Sequence, residues 1–320
     1  MQTLKSLVGN TPMIRIDYKF DGVQNSIYTK LEYYNVSGSI KDRIAYYIID
    51  KSERNGYLKP GQPIVEMTSG NTGIAFAAMG ALTKHPVHIF MPTWASEERK
   101  QLMRMYGATL HLISKEQGDF DGALVGAAKL AEEIGAFAPR QFENRDNPET
   151  HYNTTAVEIL EKLPDVTDFV AGVGSGGTLM GVARRLKDDH AVRSIAVEPD
   201  AARLLSGGTY VGDHKIEGIG DSFIPPVVDK SLIDSVADVN DMDSIAMSNL
   251  LARELGLGVG ISSGANFLAS VNQNTVPGRK VATVFADDNK KYLSTPLAAP
   301  LHITDSMLSS RIELLGYEEV

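Results

Sequence analysis

The stretch Pro63-Ile64-Val65-Glu66-Met67-Thr68-Ser69-Gly70-Asn71-Thr72-Gly73 joins a short apolar run to a turn of small and polar residues. The apolar run lacks polar alternation, which is typical of a strand buried on both faces of a parallel sheet. An alanine-rich helix is predicted from Thr72 to Leu82. The stretch therefore predicts a strand, a turn and a helix, and such turns are where open α/β sheets bind ligands.

The same unit repeats along the chain. Further apolar runs predict strands at Val87–Met91, Thr109–Ile113, Asp168–Val173, Ser194–Val197 and Lys280–Ala286. Helical patterns are found at Ser96–Tyr106, Phe120–Ile134, Ala156–Leu163, Thr178–Lys187, Met242–Leu255 and Gly264–Val271. Non-alternating strands followed by helices predict an α/β fold whose parallel sheet is covered on both faces.

Composition narrows the class of protein. A chain of 320 residues can bury a sizeable core in one large or two closely joined domains. The absence of cysteine excludes disulfides, thiolate metal sites and cysteine nucleophiles, and the histidines share no metal-binding spacing. A net charge of -9 argues against nucleic acid or an anionic membrane as a partner. With no secretory leader or membrane-length apolar run, we expect a cytoplasmic protein.

One lysine has the surroundings of a reactive amine. In Gly38-Ser39-Ile40-Lys41-Asp42-Arg43, small and polar residues precede a helix predicted from Lys41 to Gly56. A lysine at a helix start is usually solvated, but an amine held in a cleft becomes a nucleophile when it is partly desolvated. The hexapeptide alone leaves both interpretations open.

Two glycine-bearing turns supply anion sites. In Thr68–Gly73, hydroxyls, an amide and free backbone N–H groups at a helix start predict a seat for a carboxylate. In Gly172–Thr178, four glycines and a Ser/Thr pair predict a cup for a phosphate. The second turn is neither a dinucleotide fingerprint nor a Walker loop, so a monophosphate is favoured. A reactive lysine, a carboxylate seat and a phosphate cup together suggest pyridoxal 5'-phosphate.

As a set, these motifs resemble the cysteine synthase and cystathionine β-synthase family of fold-type II pyridoxal-phosphate enzymes, over about residues 4–297. The resemblance implies two doubly wound parallel-sheet domains with the cofactor cleft between them. Residues 35–144 would form the smaller, mobile domain. Residues 1–34 and 145–320 would form the larger domain that carries the phosphate cup. A homodimer is also implied.

The resemblance also implies residue roles. Lys41 matches the Schiff-base lysine, Asn71 the partner of the cofactor's phenolic oxygen, and Ser262 the neutral partner of the pyridine nitrogen. The phosphate cup matches Gly174, Ser175, Gly176, Gly177 and Thr178. The substrate-carboxylate loop matches Thr68, Ser69, Gly70 and Thr72, joined by Gln141, while Gly218 belongs to the loop over the mouth of the site.

The activity that the resemblance implies is β-replacement through an aminoacrylate intermediate, making L-cysteine from O-acetylserine or O-phosphoserine and sulfide. The alternative is a cysteine lyase or cystathionine β-synthase-like enzyme that uses cysteine or serine, releasing hydrogen sulfide or adding water or homocysteine. A catalytically silent binding protein is a third interpretation, against which intact Lys41 argues.

The sequence also supports predictions for Asp221 and for residues 97–100. Asp221 stands where sulfhydrylases commonly have a small apolar residue, and we hypothesise that it activates water or screens the nucleophile by charge. A solvated loop acid is the simpler interpretation of Asp221. Residues 97–100, which include Arg99, are expected to form a solvated first turn of a helix.

Overall fold

The computed structural model describes residues 6–189, 191–212, 214–274, 276–300 and 302–320. The helices of these residues are α1 (Lys41–Arg54), α2 (Asn71–Thr83), α3 (Glu97–Met105), α4 (Asp119–Glu133), α5 (Asp146–Asn153), α6 (Thr155–Lys162), α7 (Gly177–Asp189), α8 (Asp241–Leu255) and α9 (Ile261–Gln273). The strands are β1 (Met13–Phe20), β2 (Val23–Leu31), β3 (Ile64–Met67), β4 (Val87–Pro92), β5 (Thr109–Ile113), β6 (Asp168–Gly172), β7 (Arg193–Pro199), β8 (Ser235–Val239), β9 (Val281–Phe285) and β10 (Ile312–Glu319). The predicted strand, turn and helix over residues 63–82 are confirmed as β3 and α2.

Two sheets carry these strands. A three-stranded sheet has the order β3-β4-β5 and is parallel throughout. A seven-stranded sheet has the order β10-β1-β2-β9-β6-β7-β8, parallel from β2 to β8, with an antiparallel edge formed by β1 and β10. The predicted α/β fold is confirmed. The division into domains at residues 35 and 144 stays a prediction.

Helices bury both sheets, as the non-alternating strands predict. The core beside the small sheet joins α1 and α2 to β3 and β4 through residues such as Ile48, Phe76 and Ile89. Beside the large sheet, Phe169 of β6 and Leu179 of α7 belong to one buried cluster. These cores hold the carboxyl ends of β3 and β6 at fixed positions, and the predicted residues of the two glycine-bearing turns follow these strands.

Three elements have no counterpart in the sequence prediction. Helix α5 is short and polar, so it lacks the apolar repeat on which the prediction rests. Strands β8 and β10 are only partly buried because each lies at an edge of the large sheet. The register of β10 with β1 pairs Ile14 with Glu319 and Phe20 with Ile312, contacts that local sequence does not reveal. Among the described residues, none of the helices combines the length and apolar character that crossing a membrane requires.

Candidate active site

All fifteen residues that the sequence predicts for the site line one cavity that opens to solvent. The structure brings together residues from the start of α1, the β3–α2 turn, the α4–α5 loop, the β6–α7 turn, the loop between β7 and β8, and the start of α9. They are Lys41, Thr68, Ser69, Gly70, Asn71, Thr72, Gln141, Gly174, Ser175, Gly176, Gly177, Thr178, Gly218, Asp221 and Ser262. Their individual roles stay predictions.

Lys41 is the first residue of α1, and its side chain borders the cavity. The residues that the structure describes form no ion pair with its amine. Burial lowers the pKa of Lys41, and the negative charges of Asp221 and Asp287 only partly oppose that shift. A larger neutral fraction makes the amine a better nucleophile and a better base.

The β3–α2 turn is arranged as a seat around the start of a helix. Gly70 N–H donates to Thr68 Oγ1 at 3.1 Å, and Gly73 N–H donates to the Gly70 carbonyl at 3.0 Å. Thr72 Oγ1 donates to Gln141 Oε1 at 2.8 Å, and Gln141 Nε2 donates to the Met67 carbonyl at 3.3 Å. Gln141 therefore fixes the turn from the side, and the unpaired N–H groups at the helix start remain for a carboxylate.

Asn71 contacts an acid that the sequence analysis missed. Its Nδ2 donates to Asp287 Oδ2 at 2.7 Å, and the Tyr292 hydroxyl donates to the same oxygen at 2.8 Å. Asn71 Oδ1 and Asp287 Oδ1 are buried and have no hydrogen-bond partner within the described part of the chain. Unpaired buried polar atoms are costly, and Asn71 borders the cavity, so Asn71 Oδ1 is suited to a polar ligand. The signal for Asp287 was its place directly after β9.

The β6–α7 turn forms a narrow cup. Gly176 has φ +85°, a conformation that glycine adopts readily. Gly174 has no room for a side chain, because a Cβ there would collide with the carbonyl oxygen of Gly218. The Gly220 N–H donates to the Val173 carbonyl at 2.9 Å, which fastens the mouth loop to the cup. The cup opens toward the start of α7, where the helix dipole favours an anion.

The mouth of the cavity is charged. Asp221 is half-buried, and burial raises its pKa although Lys41 and His214 act in the opposite direction. Arg99 forms an ion pair with Glu217, and its guanidinium carbon lies 4.6 Å from the centre of the Tyr292 ring. The expectation that Arg99 is solvated is wrong: it is 2% exposed, because it packs between the β3–α2 turn and Tyr292. No local pattern distinguishes such an arginine from a solvated one.

The arrangement fits pyridoxal phosphate on structural grounds. Lys41 offers a desolvated amine, the cup offers hydroxyls and a helix start for a phosphate, and Asn71 carries an unpaired buried oxygen. Ser262 lies in the first turn of α9, is 6% exposed and borders the same cavity. A hydroxyl is a neutral partner for a ring nitrogen, so Ser262 would not stabilise positive charge there as a carboxylate would.

Comparisons with known proteins agree with this chemistry. Residues 4–287 match the family described as pyridoxal-phosphate dependent enzyme. A cysteine synthase of Staphylococcus aureus is 41% identical over 302 residues, which cover 93% of this chain and 97% of the relative. A hydrogen sulfide-producing enzyme from Fusobacterium nucleatum has a TM-score of 0.95 at 43% identity, covering 100% of this chain and 98% of the other. An O-acetylserine sulfhydrylase of Entamoeba histolytica has a TM-score of 0.87 at 32% identity, covering 96% and 94%.

Proposed function

The chain belongs to the pyridoxal-phosphate-dependent enzyme family, and on that premise we propose that it makes L-cysteine from O-acetylserine or O-phosphoserine and sulfide. One observation carries the proposal: the amine of Lys41, unpaired by the described residues, borders a cavity where the carboxylate seat and the phosphate cup meet. The anion sites match the two ends of an amino acid joined to the cofactor. Lys41 borders the same cavity and would act on the α-carbon of that amino acid.

Each group of residues has a task in this reaction. Bound pyridoxal phosphate supplies an electron-withdrawing ring that stabilises negative charge at the α-carbon of an amino acid. Residues 174–178 hold the phosphate, Asn71 and Ser262 orient the ring, and Thr68, Ser69, Gly70, Thr72 and Gln141 bind the substrate carboxylate. Gly218 belongs to the loop over the mouth. The neutral amine of Lys41 would take the α-proton as the leaving group departs from Cβ. After sulfide adds at Cβ, Lys41 would return a proton to the α-carbon, which completes L-cysteine.

The experiment mixes the purified holoenzyme separately with O-acetylserine, O-phosphoserine, serine and cysteine. The absorbance of the bound cofactor is followed, and cysteine formation from added sulfide and sulfide release are assayed in parallel. We expect a spectral change and cysteine formation with O-acetylserine or O-phosphoserine, and neither with Lys41→Ala. If only cysteine produces the change, with sulfide released, the direction proposed here is wrong.

The position of Asp221 favours a second candidate function. Asp221 borders the cavity with a pKa raised by burial, so it is suited to accept a proton from a nucleophile. In this alternative the enzyme uses cysteine or serine, releases hydrogen sulfide from cysteine, and adds water or homocysteine. The similarity to a hydrogen sulfide-producing enzyme supports it.

Asp221→Asn tests the alternative because it removes the base and keeps the shape. We expect sulfide release from cysteine to fall by about 10²-fold while cysteine formation changes by less than about threefold. Ser222→Ala in the same loop is the matched control. An unchanged ratio of the two activities would show that Asp221 is only a loop acid.

The assembly and location are proposals of the same kind. The family resemblance supports a homodimer, and light scattering coupled to size-exclusion chromatography measures the mass against the 34.7 kDa of one chain. The sequence supports a cytoplasmic location, which cell fractionation tests. A monomeric mass at micromolar concentration would contradict the dimer.

A further inference from the structure

Helix α5 lies directly behind the phosphate cup and contacts it with two side chains one turn apart. Asn147 and His151 are each 1% exposed, and neither borders the cavity. Asn147 Nδ2 lies 3.0 Å from Ser175 Oγ, and His151 Nε2 lies 3.4 Å from Thr178 Oγ1. Thus the side chains of both hydroxyl residues in the cup have a buried nitrogen neighbour from the same helix.

The orientation of the Asn147 amide follows from a second contact. Its Nδ2 also donates to the Gln141 carbonyl at 2.8 Å, and a carbonyl can only accept. Flipping the amide would place oxygen against oxygen, so the nitrogen must face Ser175. Because Ser175 Oγ then accepts a hydrogen bond from Asn147, its own proton is left to donate into the cup.

The surroundings of His151 indicate the same arrangement. Burial, with the charges of Arg43 and Lys41, lowers its pKa well below the ordinary value, so the ring is neutral and has one proton. His151 Nδ1 lies 2.9 Å from Thr155 Oγ1, a hydroxyl that can donate to it. In the tautomer where Nδ1 accepts, Nε2 carries the proton and donates to Thr178, whose own proton is then free for an anion.

The packing of α5 on α7 leaves these side chains little freedom. A Cβ on Gly177 would collide with the Asn147 carboxamide. A Cβ on Gly181, one turn further, would collide with the Pro148 carbonyl and lie 2.7 Å from His151 Cβ. Asn147 and His151 therefore occupy a groove made by two glycines, and α5 presents fixed donors to the back of the cup.

We propose that Asn147 and His151 are positioning residues that turn the hydroxyl protons of Ser175 and Thr178 toward the cofactor phosphate. Asn147 also holds the backbone of Gln141, so the same residue connects the phosphate cup to the substrate-carboxylate seat. The inference rests on the proposed placement of the phosphate at residues 174–178. It does not depend on which amino acid reacts.

The test compares dissociation constants of the apoenzyme for pyridoxal phosphate and for pyridoxal, which lacks the phosphate. Hydrogen bonds to charged groups are stronger than those between neutral groups, so losing one oriented donor should weaken the binding of pyridoxal phosphate about 10- to 100-fold, or about 1.4–2.8 kcal/mol. We expect Asn147→Ala and His151→Leu to do so while pyridoxal changes by less than about threefold. His151→Gln, which can still donate to Thr178, should restore most of the affinity.

Two controls separate positioning from folding. Tyr152→Phe alters the same helix at an exposed hydrogen bond to Asp188 and should leave both affinities unchanged. In a Ser175→Ala background, Asn147→Ala should cause no further loss that depends on the phosphate. Equal weakening of pyridoxal and pyridoxal phosphate, or an undiminished effect in that background, would mean that α5 only supports the fold.

If the variants fold poorly, a spectroscopic measurement on the unaltered protein tests the role of His151. The ¹⁵N spectrum of the holoenzyme labelled at histidine should show His151 as the neutral tautomer with its proton on Nε2. An imidazolium, or a proton on Nδ1, would overturn the role of His151. If the unaltered enzyme binds pyridoxal as tightly as pyridoxal phosphate, the phosphate placement fails. If it binds pyridoxal phosphate more tightly than pyridoxal but makes no cysteine, only the proposed reaction fails.

Discussion

Lys41 and Arg43 stand two residues apart in the first turn of α1, and their surroundings differ in every respect that matters for a buried cation. Arg43 donates to Glu32 through Nε at 2.6 Å and Nη2 at 2.9 Å, and to both oxygens of Glu158 at 2.7 Å. Lys30 completes this paired cluster at 2.7 Å from Glu158. Lys41 has only the more distant charges of Asp221 and Asp287.

The difference teaches how one helix turn serves two purposes. A buried charge requires partners to offset the loss of hydration, and the planar guanidinium of Arg43 finds two carboxylates in bidentate geometry. Those contacts anchor α1 against α6 and against the residue that directly follows β2. Because the anchoring is complete without Lys41, the lysine can remain unpaired and reactive at the edge of the cavity. Three substitutions and one pH series test this contrast.

Lys41→Arg should have the largest effect. A guanidinium stays protonated, so it can neither attack the cofactor nor remove a proton, although the charge is kept. We expect turnover to fall by at least about 10³-fold, with the midpoint of urea unfolding of the apoenzyme close to that of the unaltered protein. Steady-state kinetics and urea titration measure both. Substantial residual turnover would remove Lys41 from the chemistry.

Arg43→Met should destabilise the fold, because it removes the cation that anchors α1. It leaves the buried carboxylates of Glu32 and Glu158 with Lys30 as their remaining cation, and unpairing a buried charge costs about 3–5 kcal/mol. Urea unfolding of the apoenzyme measures the loss. If the free energy of unfolding falls by less than about 1 kcal/mol, the cluster does not anchor the helix.

Acid should weaken the paired cluster in a defined range. Burial alone would raise the pKa of Glu32, but Arg43 and Lys30 reverse this and lower it to about 2. A carboxyl with a lowered pKa stabilises the fold fully above its unfolded pKa near 4.5, and this stabilisation is lost as pH falls toward 2. The contribution is on the order of 3 kcal/mol.

The measurement compares the free energy of unfolding of the unaltered protein with that of Arg43→Met between pH 7 and pH 3. In the variant, protonation removes the cost of burying unpaired carboxylates. The difference in unfolding free energy between the two proteins should therefore become smaller as pH falls. Parallel curves would contradict the assigned role of Glu32.

Arg54→Ala, on the same helix, should cause the smallest loss of unfolding free energy. Arg54 is exposed and pairs with Asp50 at 2.9 Å, one turn earlier in α1. Such pairs contribute about 0.3–0.5 kcal/mol, and high salt screens them. The same urea titration with and without 1 M sodium chloride measures the effect. A loss comparable to that of Arg43→Met would mean that charge on α1 acts through the whole helix, independently of burial.

Sequence alone predicted the parts of the site that follow local rules. The turns at Thr68–Gly73 and Gly172–Thr178 were visible because glycines and hydroxyls cluster where an apolar strand run ends. The α/β fold was visible because β3, β6 and β9 lack regular polar alternation. Local chemistry was therefore enough to locate both turns, and their roles in binding anions stay predictions.

Contacts between distant residues were not predictable in this way. Asp287 meets Asn71 across 216 residues of sequence, and the solvated interpretation of Arg99 failed because Tyr292 covers it from the other end of the chain. Helix α5 escaped notice because it is only eight residues long and mostly polar. Its signals were Asn144, whose Oδ1 accepts from the Asp146 N–H at 2.9 Å, and the proline at position 148.

The strand order of the two sheets also bears on how the chain is made. The small sheet is complete once residues 64–113 have left the ribosome, whereas β2 waits for β9 and β1 waits for β10 at the end of the chain. Such long separations slow folding, and unpaired strand edges favour aggregation meanwhile. We therefore expect the hairpin of β1 and β2 to be the segment of the nascent protein that depends most on chaperones.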